Sequence, residues 1–242
     1  MQVHSLPAGS LGDQTVYLDG QEAKHIVKVM RHGVGDPIVF SDGKGNFLHT
    51  VIDRCSQTDV HARIEKIEAD PRELGAPWST LALALLKGEH FEMALEKAVE
   101  LGVHRIIPLR ADHCVVKWKE KGGSRKLDRW SRIAESAMKQ AGRSWLPEVC
   151  EPVTVAQFIA ALPEDSQLVV GDEEEHALSV RDFSFAVDRP LIAVVGPEGA
   201  FSAEEKQRLA DAGATAVTLS NYVLRAETAA VSLITALHLT RL

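Results

Sequence analysis

The sequence has few aromatic residues and little cysteine. Phe, Trp and Tyr together make up 5% of its 242 residues, and three cysteines, Cys55, Cys114 and Cys150, stand far apart. An odd set without paired spacing makes no disulfide framework and fits a reducing compartment, so a cytoplasmic location is expected. There is no Cys-x-x-Cys and no His-Glu-x-x-His, and the ten histidines are scattered, so no metal is expected. The sequence also lacks a Gly-x-Ser-x-Gly elbow, a Walker loop and a Gly-x-Gly-x-x-Gly behind a strand. These absences count against an ordinary serine hydrolase, nucleotide hydrolase or dinucleotide dehydrogenase. The longest strongly apolar runs, Leu81 to Leu86 and Leu191 to Val195, are strand-sized and far short of the roughly 18 residues of a membrane span. Met1-Gln2-Val3-His4 has neither the charge nor the apolar core of a signal peptide. No membrane association is expected, and no internal repeat or low-complexity segment stands out.

Hydrophobic residues at 45% and charged residues at 25% give the balance of a globular chain, which excludes disorder, collagen and coiled coil as the main architecture. At about 150 residues per domain the length suggests one large or two smaller domains. The net charge of −7 argues against a nucleic-acid partner, but its distribution argues the other way. From Lys117 to Arg143 nine basic residues, among them Arg125, Arg129, Arg132 and Arg143, face only three acids, a local charge of +6. A smaller strip, Lys24, Lys28 and Arg31 with His25 and His32, contains no acid. The ordinary reading of each is a solvated helix face. Two such patches on an acidic chain make RNA the competing reading.

Up to about residue 70 the pattern is one of short strands: Thr15 to Leu18, Pro37 to Ser41, Phe47 to Asp53 and Val60 to Ile67. Asp42-Gly43-Lys44-Gly45 is a hairpin signal between two of them. One helix interrupts the series, with Ala23, Ile26, Val27 and Met30 at helical spacing and Lys24, Lys28 and Arg31 (i, i+4, i+7) opposite. This predicts a small β-barrel with one basic amphipathic helix. Asp70 to Pro77, with two prolines and a glycine, reads as a linker, giving domains 1–72 and 73–242. Beyond it strands alternate with helices. Strands are expected at Thr80 to Leu86, Arg105 to Leu109, Gln167 to Gly171, Leu191 to Val195 and Ala214 to Leu219. Helices are expected at Phe91 to Leu101, Lys126 to Gln140, Val155 to Leu162, Ser202 to Ala212 and Glu227 to Thr240. That alternation predicts an α/β domain with a mostly parallel sheet covered on both faces, whose ligand binds beyond the carboxyl ends of the strands.

Two segments stand at such strand ends. Val194-Val195-Gly196-Pro197-Glu198-Gly199-Ala200-Phe201-Ser202 follows an apolar strand. Its glycines permit close approach of a ligand, and Ser202 with Glu205 is a capping-box pattern. A capped strand-to-helix turn needs no such Gly-Pro-Glu-Gly, which favours a functional role. The second segment, Leu219 to Ala230, carries Arg225 and Glu227 at the start of an alanine-rich helix. A buried Arg–Glu brace is the ordinary reading. An Arg holding a phosphate or a developing anion is the functional one.

At these residues the chain resembles the RsmE family, SAM-dependent methyltransferases of N3 of a uridine in 16S ribosomal RNA, of the SPOUT class. Gly196-Pro197-Glu198-Gly199 with Phe201-Ser202 and Glu204-Glu205 matches the family's first signature, and Leu219-Ser220 through Leu224-Arg225-Ala226-Glu227-Thr228-Ala229 its second. Lys87-Gly88, Lys97, Glu100-Leu101-Gly102 and Arg105 to Leu109 match a first helical unit, and Gln140-x-Gly142-Arg143 a further motif. Met30-Arg31, Gly35-Asp36 and Asp42-Gly43 match a PUA-like RNA-binding barrel. Ala200, Ala226 and Ser220 depart from the usual Gly, Thr and Gly.

The resemblance implies a C-terminal trefoil-knot domain with SAM in the knot. The implied pocket is Gly171, Val195, Gly196, Pro197, Glu198, Gly199, Leu219, Ser220, Asn221, Leu224, Arg225, Ala226 and Thr228, with Leu219 and Leu224 about the adenine. Arg225 is expected to stabilise charge on the uracil or to hold a phosphate, and Glu198 and Glu227 are both candidate bases. Lys24, Lys28, Arg31, Arg125, Arg129, Arg132 and Arg143 are the expected RNA contacts. The partners are 16S rRNA or the small subunit and a second copy of the chain, packed on Ala229, Ala230, Leu233, Ile234 and Leu237. Two rivals differ in what they bind: a catalytically silent RNA-binding or ribosome-assembly protein binds no SAM, and another α/β enzyme binds NAD or ATP instead.

Overall fold

Strand alternation builds the first sheet of the computed structural model, which describes residues 3–6, 9–73, 78–118, 123–173 and 177–239. The chain divides into two units, Met1–Gly75 with Met138–Leu146, and Ala76–Ala137 with Pro147–Leu242. In the first unit β1 (Val3–Ser5) and β2 (Thr15–Asp19) precede α1 (Gly20–Lys24), then β3 (Pro37–Ser41), β4 (Asn46–Cys55) and β5 (Asp59–Ala69). The sheet order is β1-β3-β4-β5-β2, antiparallel except for the parallel β1–β3 pair. Along β2 the buried residues Val16 and Leu18 alternate with exposed ones, and they join Ile26, Phe40, Leu48 and Ile52 in one core. The predicted hairpin is closed by Asp42, whose Oδ1 accepts from the Lys44 and Asn46 N–H groups at 2.7 and 3.0 Å.

The basic helix is not a continuous α-helix. α1 ends at Lys24 and continues as a π-helical turn, His25–Val29. Its wider winding is marked by the Met30 N–H donating to the His25 carbonyl, five residues back, at 3.0 Å. Arg31 lies beyond the turn with φ +63°. The i, i+4, i+7 spacing therefore does not describe one α-helical face, although Lys24, Lys28 and Arg31 are all exposed.

Residues 138–146 belong to this unit through polar contacts. Ser144 Oγ donates to Asp70 Oδ2 (2.8 Å), Ser41 Oγ donates to the Ser144 carbonyl (2.8 Å), and Arg143 Nε donates to Glu73 Oε1 (3.0 Å). Burial alone would raise the Asp70 carboxyl. Hydrogen bonds from Arg72 and Ser144 outweigh it and hold the group below the usual carboxylate range.

The second unit alternates as expected: β6 (Ser79–Ala84), α2 (His90–Glu100), β7 (Arg105–Arg110), α3 (Gly123–Gln140, in this unit up to Ala137), β8 (Glu148–Val149), β9 (Val153–Thr154), α4 (Val155–Ala160), β10 (Gln167–Gly171), β11 (Leu178–Ser179), β12 (Leu191–Val195), α5 (Ala203–Asp211), β13 (Thr215–Thr218) and α6 (Ala226–Leu239). The sheet runs β11-β13-β10-β12-β6-β7-β8, with β9 also on β7, and every pair is parallel. β6 and β12 are buried at every position, as strands covered on both faces must be. After β12 the chain passes β10 to form β13. It then returns as α6 against β10, β12, β6 and α2.

Ala230, Leu233, Ile234 and Leu237 are buried within this chain. The apolar flank of α6 is thus spent on its own unit and is not an open surface for a second copy.

Candidate active site

The ends of β10, β12 and β13 lie side by side, Gly171 opposite both Val195 and Val217. Three loops leave these ends and enclose a cavity of about 440 Å3, within the usual range of small-molecule sites. The cavity brings together Gly171, Val195, Gly196, Pro197, Glu198, Leu219, Ser220, Leu224, Arg225, Ala226 and Glu227. Gly199, Asn221 and Thr228 do not line it. A Cβ on Gly199 would meet His113 Cβ at 3.2 Å, so its missing side chain serves packing against the loop after β7. At Gly196 a Cβ would meet the Phe201 ring at 3.1 Å, and at Gly171 it would touch Leu219 at 3.5 Å. Both glycines keep the strand ends close to the loops that cross them.

The 196–202 turn is braced from behind. Ser202 and Glu205 form the expected capping box: Glu205 N–H donates to Ser202 Oγ (3.3 Å) and Ser202 N–H to Glu205 Oε2 (3.0 Å). Glu205 Oε1 accepts the Asp112 N–H at 3.0 Å, and Ser202 Oγ donates to Asp112 Oδ2 at 2.7 Å. His113 Nδ1 lies 2.9 Å from the Gly199 carbonyl and 3.2 Å from that of Ala200. Within this brace Ala200 stands at φ +58°, a left-handed conformation that disfavours any residue with a Cβ.

The charged groups fall into definite pairs. Glu198 Oε1 accepts the Lys87 N–H at 3.1 Å. Glu227 is buried and paired not with Arg225 but with His90, Nδ1 to Oε1 3.0 Å. Lys206 Nζ is 3.0 Å from Asp172 Oδ2. The Arg225 guanidinium is exposed and has no hydrogen-bond or ion-pair partner among the described residues. Its carbonyl accepts the Ala229 N–H at 2.8 Å, which seats it at the start of α6. The lining carries four carboxylates, Asp172, Glu173, Glu198 and Glu227, against the cations Lys206 and Arg225 with His90. Val195, Phe201, Leu219 and Leu224 supply apolar surface.

His90, Asp172, Glu173 and Lys206 escaped the sequence reading. Asp172 and Glu173 were findable, since they directly follow the predicted strand end at Gly171. His90 was not, because only the tertiary fold brings the start of α2 to the start of α6. Among the described residues no group of three or more His, Cys, Asp and Glu is placed to hold a metal, and no helix is long and apolar enough to cross a membrane. Burial pushes the Cys114 thiol up and the Cys150 thiol up to about 11, so neither is a ready nucleophile.

The expected RNA contacts separate. Lys24, Lys28, Arg31, Arg125 and Arg132 are exposed. Arg129, also exposed, donates to Glu92 Oε2 at 2.6 Å. Arg143 is 5% exposed and held by Glu73, so it braces the first unit and is not available to a phosphate. Lys119 and Lys121 of the basic stretch lie outside the described residues.

Residues 74–238 match the model of an RNA methyltransferase domain, and residues 18–65 that of an RNA methyltransferase PUA domain. Ribosomal RNA small subunit methyltransferase E of Mycobacterium bovis is 32% identical over 216 residues, covering 88% of this chain and 82% of that protein. Its Bacillus subtilis namesake is 31% identical over 221 residues, covering 89% and 86%. The crystal structure of ribosomal RNA small subunit methyltransferase E from Neisseria gonorrhoeae, bound to S-adenosyl methionine, matches with a TM-score of 0.85 at 28% identity, covering 99% of this chain and 98% of that one. A Legionella pneumophila chain solved with bound SAM matches with a TM-score of 0.84 at 29% identity, covering 99% and 97%.

Proposed function

The chain belongs to the ribosomal RNA small subunit methyltransferase E family of RNA methyltransferases, and on that premise we propose that it methylates N3 of one uridine in 16S ribosomal RNA. It is a SAM-dependent enzyme with an RNA-binding PUA domain. The finer reading, N3 of uridine, follows from the family, and Arg225 supports it: an exposed guanidinium lining the cavity with no partner among the described residues, while Glu227 lies beside His90.

The cavity suits SAM, since its surplus of carboxylates favours a cationic ligand and its apolar wall a flat base. Bound SAM supplies an electrophilic sulfonium methyl group. Gly171 and Gly196 hold the strand ends close to the crossing loops, and Leu219 and Leu224 offer a surface for the adenine. N3 lies on the Watson–Crick edge, so the uridine must be unpaired or flipped out to reach the site. Arg225 stabilises the charge that develops on the uracil oxygens, or clamps the adjoining phosphate, with a planar fork of donors. Lys24, Lys28 and Arg31 in the first unit, and Arg125, Arg129 and Arg132 in the second, grip the RNA backbone. A deep trefoil knot is supported by the crossing order of β12, β13 and α6. A homodimer is supported by the exposed Tyr222 and Val223, 83% and 78% accessible, which a second copy would cover. Nucleoside mass spectrometry of 16S rRNA treated with protein and SAM tests the reading. The expected product is N3-methyluridine at one site. RNA that is bound but unmodified would favour the silent RNA-binding protein.

A further inference from the structure

We propose that His90 is the general base of this methyl transfer and that Glu227 is its positioning residue. The proposal rests on the N3-uridine reading above, because N3 carries a proton that must leave. His90 is the first residue of α2, lines the cavity and has a side chain 45% exposed. Its Nδ1 lies 3.0 Å from Glu227 Oε1, on a side chain only 6% exposed. The carboxylate beside Nδ1 favours the tautomer that carries its hydrogen on that nitrogen. The other ring nitrogen, Nε2, is then the acceptor, and it has no hydrogen-bond partner among the described residues. A carboxylate fixing one imidazole nitrogen while the other takes a proton is the usual arrangement of an oriented histidine base.

The two carboxylates that sequence reasoning offers as bases are less suited. Glu227 is buried behind His90, and Glu198 accepts a hydrogen bond from the Lys87 N–H. Imidazole also exchanges its proton near neutral pH, where a base works best. In the step, the proton leaves N3 for Nε2. The electron pair left on the uracil forms the bond to the methyl carbon, and the sulfonium sulfur keeps the electrons of the bond it loses. The imidazolium, opposed by Glu227, returns its proton to solvent. The other ionisable groups around this cavity are Asp172, Glu173, Glu198, Lys206, Tyr222 and Arg225.

The test compares His90→Gln, His90→Ala and Glu227→Gln with the wild-type protein. His90→Gln should lower kcat on 16S rRNA by roughly a hundredfold or more, the usual contribution of a general base. SAM affinity by calorimetry should stay unchanged, and the acid limb of the pH profile of kcat should vanish. Added imidazole should restore part of the activity of His90→Ala. Glu227→Gln should lower kcat while leaving KM for the RNA and SAM affinity unchanged, a split that a merely structural role would not give. Retention of the acid limb in His90→Gln, or a loss of SAM affinity that parallels the loss of rate, overturns the assignment and leaves a brace between α2 and α6. A wild-type protein that binds SAM but leaves N3 unmodified would instead overturn the functional reading, and this proposal with it.

Discussion

Replacing Ala200 with glycine should stabilise the protein. Ala200 sits at φ +58°, where the clash of Cβ with the backbone costs an L-residue roughly 1–2 kcal/mol. Glycine escapes that cost but loses about 0.5–1 kcal/mol through the greater freedom of the unfolded chain. The Ala200 methyl is exposed, so its removal forfeits no packing. The backbone bond from Ala200 N–H to the Pro197 carbonyl, 2.9 Å, and the two carbonyl contacts of His113 involve no side-chain atom of Ala200 and persist. The balance is a gain centred on about 0.75 kcal/mol, which for a chain of this size raises Tm by about 2–3 °C. Scanning calorimetry of Ala200→Gly and Ala200→Val, with and without SAM, measures it. Glycine should raise the transition and valine, β-branched at a left-handed position, should lower it. SAM affinity should be unchanged in Ala200→Gly because the brace already holds the turn. A glycine variant no more stable than wild type, or a neutral valine variant, would refute the argument that strain is stored here.

Arg225→Ala should fold and bind SAM normally yet lose roughly a hundredfold in kcat, the usual consequence of removing one well-placed donor. Arg225→Lys should recover little, because a point charge does not reproduce the fork, and parallel losses of Tm and SAM affinity would refute the assignment. A Lys24/Lys28/Arg31 triple alanine variant should flatten the slope of log K against log salt for single-stranded RNA by roughly 2, about 0.7 for each phosphate contact removed, with SAM binding intact. Arg143→Ala should leave that slope unchanged but destabilise the first unit by about 1.5–3 kcal/mol in urea unfolding, the range for hydrogen bonds to a charged group, because its bonds to the Glu73 carboxylate are lost. His4 is held below the ordinary imidazole range, chiefly by burial and then by His25. Its contribution is therefore complete above the unfolded value near 6.5 and is lost as pH falls towards the lower folded value, because the unfolded chain takes up a proton that the folded one resists. His4→Phe should flatten the fall in urea midpoint between about pH 7 and 5.

Local pattern was enough where burial imposes one solution. Leu191 to Val195 is apolar at every position, so it had to be a strand covered on both faces, and it spans the observed β12 without error. The Ser202–Glu205 capping box was equally legible, because a helix start is satisfied by residues three apart. β8, β9 and β11 were not, since two residues carry no period and pair only because a neighbouring strand is already in place. The π-helical turn at His25 was also hidden, because its side-chain pattern can be read as α-helical over so short a stretch. The same division runs through the site. The Gly196 to Ser202 and Leu219 to Thr228 segments announced themselves by composition, as strand ends that carry glycine, a cap and charge. Which charges meet did not. Arg143 meets Glu73, and His90 rather than Arg225 meets Glu227. Such pairings depend on how distant segments cross, and electrostatic energy follows distance in space rather than separation along the chain.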